Sequence, residues 1–167
     1  YQAVTKGKTM DLIIQKATEL GAHRVVPVLS ERSVPDWDEA KAAAKVEKWR
    51  SVCIESIKQC GSAWLPTLEM PMKPSVAIKD ARSAEVSLIA TLQSDAQHPR
   101  THIDGYEAEN GQAPKKLAIW VGPEGDYPPA EINQLRGSAL PLTLGPLVLR
   151  RETAAIYCLA FLNYELQ

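Results

Sequence analysis

The sequence predicts an α/β fold, a mostly parallel sheet with helices on both faces. Three observations predict it. Apolar, β-branched runs such as "RVVPVL", "VSLIAT" and "KLAIWV" have strand length without the alternation of a half-exposed strand, the pattern of strands buried on both sides. Segments with apolar residues three and four apart lie between them, as in amphipathic helices. Glycine–proline loops then leave two of the strands, and in parallel sheets ligands occupy crevices beyond the strands' carboxyl ends.

The opening "YQAV" reads as a short strand. "TMDLIIQKATELG" reads as a helix capped by Thr9, with Asp11 in its first turn, Leu12, Ile13, Lys16, Ala17 and Leu20 on one side and Gly21 as its stop. "RVVPVL" is the next strand. The segment from Asp38 to Gln59 is a long helix whose apolar stripe runs through Val46, Trp49, Val52, Cys53, Ile57 and Cys60. A short strand over Thr67 to Met70, a short helix after Pro74 and the buried strand "VSLIAT" continue the βα rhythm. Residues 93 to 115, polar and punctuated by glycine and proline, read as a long surface excursion with one helical turn. Strand "KLAIWV", the loop "GPEGDYP", a helix near "PAEINQLRG", strand "LPLTL", loop "GPLVLR" and a final helix "ETAAIYCLAFLNYEL" complete the chain.

The 167 residues fit one domain, and 45% hydrophobic with 23% charged residues is the balance of a chain that folds. No apolar stretch approaches the ~20 residues of a membrane helix, so a cytoplasmic location without membrane contact is expected. Cys53 and Cys60 are seven apart on one helix, too distant to bridge. With Cys158 they read as reduced structural thiols, and no cysteine or histidine spacing suits a metal. Nineteen basic and twenty acidic residues leave a net charge of −1. Any nucleic-acid binding must therefore come from local patches or a further domain. His23, His98 and His102 are scattered and read as surface residues, Trp49 as helix packing, and Trp64 as packing or a base-stacking group.

The two glycine loops are the strongest site candidates. Gly122 and Gly125 permit close approach and unusual backbone torsions, while Pro128 and Pro129 suit a helix entrance. A stiff loop with exposed N–H and C=O groups can read the edge of an adenine, although a tight βα turn also accounts for every local feature. "GPEG" is neither the dinucleotide fingerprint nor a phosphate loop. In the second loop Leu147, Val148 and Leu149 precede Arg150 and Arg151, an order that can wall an aromatic base and then pair with an anion. Core leucines and solvated arginines are the alternative. Glu152 and Thr153 suit the first turn of the last helix.

Four ordered motifs, "KATELGAHRVVPVLSERSV", "KQCGSAWLP", "IWVGPEGDYPPAEI" and "LTLGPLVLRRETAAI", cover most of the chain. In them it resembles the SPOUT-class methyltransferases that methylate N3 of a uridine in small-subunit (16S) ribosomal RNA. The resemblance implies a C-terminal trefoil knot, a homodimer, S-adenosyl-L-methionine as cofactor, and ribosomal RNA within the small subunit as partner. It also implies that residues 1–167 are the methyltransferase domain and that the family's N-terminal RNA-binding β-barrel lies outside this sequence, in keeping with the abrupt start at Tyr1. Carried over by position, the cofactor pocket comprises Leu92, then Val121, Gly122, Pro123, Glu124 and Gly125, then Leu144, Gly145, Leu147, Val148 and Leu149. Arg150, Glu124 and Glu152 are the expected catalytic residues: Arg150 toward phosphate or base, Glu124 or a water as proton acceptor, Glu152 holding the loop. A related RNA methyltransferase acting on a ribose hydroxyl, or a non-catalytic relative, are the competing readings. Ser62 and Leu147 stand where arginine is usual, Asp126-Tyr127 where Gly-Phe is commoner, and Lys58 where an acid is. Arg151 and Lys58 are the candidates to replace the lost cations.

Overall fold

In the computed structural model, which describes residues 1–33 and 37–166, five parallel strands form the main sheet. They are β1 (Gln2–Ala3), β3 (Pro27–Val28), β5 (Val86–Ala90), β6 (Leu117–Val121) and β7 (Leu140–Leu142), in the order β3-β1-β6-β5-β7. Strand β5 is thus flanked by β6 and β7, with Ala90 in register with both Val121 and Leu142. The carboxyl ends of these three strands lie side by side, which positions the site. Two more short strands, β2 (Arg24–Val25) and β4 (Thr67–Leu68), make a separate parallel pair.

Helices cover both faces. On one, α3 (Pro74–Ala81) and α5 (Pro129–Arg136) close over Ile89 and Trp120 with Ala77, Ile132 and Leu135. On the other, α4 (Pro99–Asn110) and α6 (Arg151–Glu165) bury Val86 and Leu88 under Ile103, Cys158 and Leu162. Strand β5 therefore sends apolar side chains to both sides, which explains its unbroken apolar run. Trp120 is fully buried; its indole N–H donates to Ser87 Oγ at 3.0 Å and its ring stacks on Tyr1 at 4.2 Å. Helix α1 (Thr9–Glu19) packs on α2 (Glu39–Cys60) through Met10, Ile14, Trp49 and Cys53, and Asp11 accepts from Trp49 Nε1 at 3.1 Å.

Several local expectations are corrected. Thr9 is the first helical residue of α1 and not its cap; Lys8 holds the cap position without a side-chain bond. The buried face of α1 is Met10, Ile13, Ile14, Ala17 and Thr18, so Leu12 and Lys16 lie off it. "RVVPVL" is two strands in two sheets, because Pro27 has no N–H and opens β3 after the chain has left β2. Cys60 is exposed at the end of the α2 stripe. Residues 99–110 form a three-turn helix, α4, with Pro99 in its first turn, the His98 ring accepting from Arg100 N–H at 3.2 Å, and Gly111 left-handed at its end. His102 Nε2 donates to the Pro141 carbonyl at 2.9 Å and so ties α4 to β7. Val34, the last residue of the first motif, lies outside the described residues.

The thiols yield a direct test. Burial pushes Cys158 up to about 12 and raises Cys53, whereas Cys60 is exposed. A thiol reagent near pH 8 is expected to modify Cys60 alone in the folded chain and all three of its cysteines after denaturation. Rapid native labelling of Cys158 would contradict this packing.

Candidate active site

The turns that follow β5, β6 and β7 enclose one cavity of about 650 Å³, with the start of α6 as its fourth side. Its walls include Leu92 from the first turn, Val121 to Gly125 from the second, and Leu144, Gly145 and Leu147 to Glu152 from the third and from α6. Every site residue named from the sequence therefore meets in one place. That volume suits a nucleoside-sized ligand.

The β6–α5 turn is held tightly. Gly122 is buried, and a Cβ there would lie 3.2 Å from the Tyr127 ring and 3.3 Å from Asp126 Oδ1. A side chain at this glycine would press on Tyr127 and Asp126, so close packing favours glycine here. Gly125 has φ +77° and Asp126 φ +69°, so two consecutive residues are left-handed. Arg32, from the turn after β3, donates through Nη1 to the Gly125 carbonyl at 2.7 Å and the Asp126 carbonyl at 3.2 Å. Beside it, Glu131 of α5 accepts from Ser30 Oγ at 2.6 Å and Glu31 N–H at 2.9 Å. Tyr127 is fully buried with its hydroxyl donating to the Val121 carbonyl at 3.3 Å. Burial first, then the charges of Glu131 and Asp126, push its ionisation far above the usual range, so it stays neutral.

The β7–α6 turn is more open. Gly145 has φ +104°, and its N–H donates to Thr143 Oγ1 at 3.2 Å. Leu147 and Val148 are 73% and 79% exposed, which removes them from the core alternative. Leu144 and Leu149 are half-buried. Arg150 is exposed at the N-cap of α6, Glu152 lies in that helix's first turn, and neither pairs with a described ionic partner. Glu124 is 90% exposed and lies 3.4 Å from Arg151 Nη1, a contact worth little in water. Arg151 Nε is buried with no acceptor. An orphaned donor in the wall, glycine-lined backbone and apolar leucines together fit a ligand carrying an aromatic base at one end and an anionic group at the other.

Sequence reasoning missed Thr9, Thr91, Asp126 and Thr143 among the lining residues, and Arg32 behind them. The one legible signal was Asp126 after Gly125, a pair that tolerates left-handed backbone. Arg32 reaches the turn across more than ninety residues of chain, and no local pattern announces such a contact. Among the described residues no helix is long and apolar enough to cross a membrane, and no group of three or more His, Cys, Asp or Glu is placed to hold a metal.

A parallel α/β sheet with a glycine-lined cavity at adjoining strand ends defines a small-ligand-binding α/β domain. Residues 1–163 match the RNA methyltransferase domain family, and the chain belongs to that family. A ribosomal RNA small subunit methyltransferase E of Bacillus subtilis is 32% identical over 163 residues, 96% of this chain and 62% of that protein. A Legionella pneumophila methyltransferase solved with bound S-adenosylmethionine superposes with a TM-score of 0.87 at 33% identity, over 98% of this chain and 64% of that one. A Neisseria gonorrhoeae ribosomal RNA small subunit methyltransferase E, also bound to S-adenosylmethionine, gives 0.82 at 25% identity, with the same two coverages of 98% and 64%. The chain spans about three fifths of the length of the curated relatives it matches.

Proposed function

We propose that this chain is the S-adenosylmethionine-binding, catalytic domain of an enzyme that methylates N3 of a uridine in small-subunit ribosomal RNA. The observation that carries the reading is the single cavity in which all the residues assigned from the sequence converge. Relatives solved with S-adenosylmethionine support it. The SPOUT-class trefoil knot belongs to the same reading.

When bound, S-adenosylmethionine supplies a methyl group on a cationic sulfur, which leaves with the C–S bonding pair as a neutral thioether. The chain's own residues do the rest. Backbone groups of the Gly122 and Gly145 turns, with Leu144 and Leu149, would hold the adenine, and Arg151 Nε would take an anionic oxygen. Uridine N3 must lose a proton to become a nucleophile. Arg150, free of carboxylate partners among the described residues, faces the uracil oxygens and stabilises the anion. Glu124, exposed in the cavity wall, or a water beside it, accepts the proton. Glu152, in the first turn of α6, is assigned to holding that turn by the family resemblance. Ser62 and Leu147 leave the RNA contacts to other cations, with Lys58 as the candidate once Arg151 is engaged at the cofactor.

Homodimer formation belongs to the proposal. Helix α6 leaves Tyr157 52% and Tyr164 78% exposed, and the turn before it adds Leu147 and Val148, more apolar surface than a solvated helix needs. Sedimentation is expected to report a dimer, and a monomer at micromolar concentration would refute this part.

Two measurements test the function. Calorimetric titration of the chain with S-adenosylmethionine is expected to show binding, and its absence from folded protein would sink the enzyme reading. Small subunits from a strain lacking the modification, treated with this protein and digested to nucleosides, are expected to yield N3-methyluridine by mass analysis. Arg32→Ala should weaken S-adenosylmethionine roughly tenfold, because the free Gly125-Asp126 turn must then be ordered on binding. Unchanged affinity would remove Arg32 from the positioning of that turn.

A further inference from the structure

Three carboxylates border the cavity, and they differ in how they are held. Glu124 projects into solvent beside Arg151. Glu152 sits in the first turn of α6, where the helix dipole offsets its charge. Asp126 alone is fixed from two sides: Thr91 Oγ1 donates to its Oδ2 at 2.8 Å, and the Tyr127 N–H donates to its Oδ1 at 2.7 Å. Thr91 follows β5 and Asp126 follows β6, so the carboxylate bridges the two central turns of the cavity, both of which line it.

Asp126 is also conformationally expensive. Its φ of +69° belongs to the left-handed region that favours glycine, yet an acid occupies it. Arg32 makes no ion pair with this acid: its Nη1 is engaged by the Gly125 and Asp126 carbonyls. No described cation forms an ion pair with the carboxylate, which is half-buried and bonded only to a hydroxyl and an amide. A half-buried, oriented anion with spare lone pairs and no ion-paired cation is the complement of a cationic ligand.

We infer that Asp126 is the residue by which the cavity distinguishes a sulfonium nucleoside from its neutral thioether. The inference rests on reading the cavity as the S-adenosylmethionine site. Methyl donor and spent product share adenine, ribose and amino-acid groups and differ in one methyl and one positive charge. Contacts to the shared parts bind both equally; a fixed carboxylate binds the charged one better. It favours entry of the donor and, once the charge is gone, release of the product.

The experiment is calorimetric titration of the 167-residue chain, and of its Asp126→Asn and Asp126→Gly variants, with S-adenosylmethionine and with S-adenosylhomocysteine at one low ionic strength. Asparagine keeps the left-handed tolerance and hydrogen-bonding capacity while removing the charge; glycine suits the backbone and guards against a folding defect. Both variants are expected to lose roughly tenfold in affinity for S-adenosylmethionine, the scale of one ion pair in a half-open cleft, with the homocysteine product changed less than about twofold. Equal losses for both ligands, or no loss for the donor, would overturn the inference while leaving the cavity as the cofactor site. Failure of the unsubstituted chain to bind either ligand would overturn the site reading, and the inference with it.

Discussion

Trp120→Ala is expected to destabilise the chain by about 3–5 kcal/mol, the range for deleting a large aromatic from a packed core. Trp120 is 0% exposed on the second-to-last residue of β6, in register with Ile89 of β5, and it contacts the α3–α5 layer of the core. The substitution removes its buried surface, leaves a cavity between sheet and helices, and orphans Ser87 Oγ, which accepts the indole N–H. Against a typical total of roughly 5–15 kcal/mol, a loss of that size brings the fold near its limit. Urea unfolding should show the midpoint falling with little change in slope. Trp64→Ala is the control: at 47% exposed, stacked on His23, it should cost under about 1 kcal/mol. Comparable losses for the two would mean that Trp120 does not anchor this core. Because Val121 and Gly122 follow directly, the same variant should also loosen the cavity.

Arg150→Ala is expected to lower turnover by about 10²–10³-fold under the proposed function, the usual effect of removing one preorganised donor to a developing anion. Its S-adenosylmethionine affinity should change by less than about threefold, since the proposed reading assigns Arg150 to the base and Arg151 to the cofactor's anionic end. A cation beside the base lowers the pKa of N3, so removing it should also move the pH–rate profile toward higher pH. Arg150→Lys keeps the charge without the planar fork and should recover part of the rate. Full turnover in Arg150→Ala with an unshifted profile would refute the role and transfer it to Arg151, whose guanidinium already lies beside Glu124.

Much of the fold was legible because the strands are buried on both faces and their apolar runs are unbroken. Strands β5 and β6 and helices α2, α5 and α6 fall where pattern and punctuation place them. Pro74, Pro99 and Pro129 each occupy a first helical turn, and Gly21, Gly61 and Gly111 each turn left-handed at a helix end. The misread segments are those where a local signal is outvoted. Helix α4 is polar over most of its surface and buries only Pro99 and Ile103, so its apolar periodicity is faint. The "RVVPVL" run divides because Val25 pairs with Leu68 in one sheet and Val28 with Ala3 in another, a choice made by partners distant in sequence.

The candidate site divides in the same way. The sequence by itself determined the two glycine–proline turns, the residue types in them and the strand ends they leave, since torsional freedom, apolar character and charge are properties of individual residues. Only the tertiary structure decided that β5 lies between β6 and β7, that their three turns close on one cavity, and that Thr91, Asp126 and Arg32 brace it. The physical reason is the range of the interactions: a helix cap or a turn is settled within about four residues, whereas strand order and a bond from Arg32 to Gly125 depend on which surfaces the whole chain can bury together.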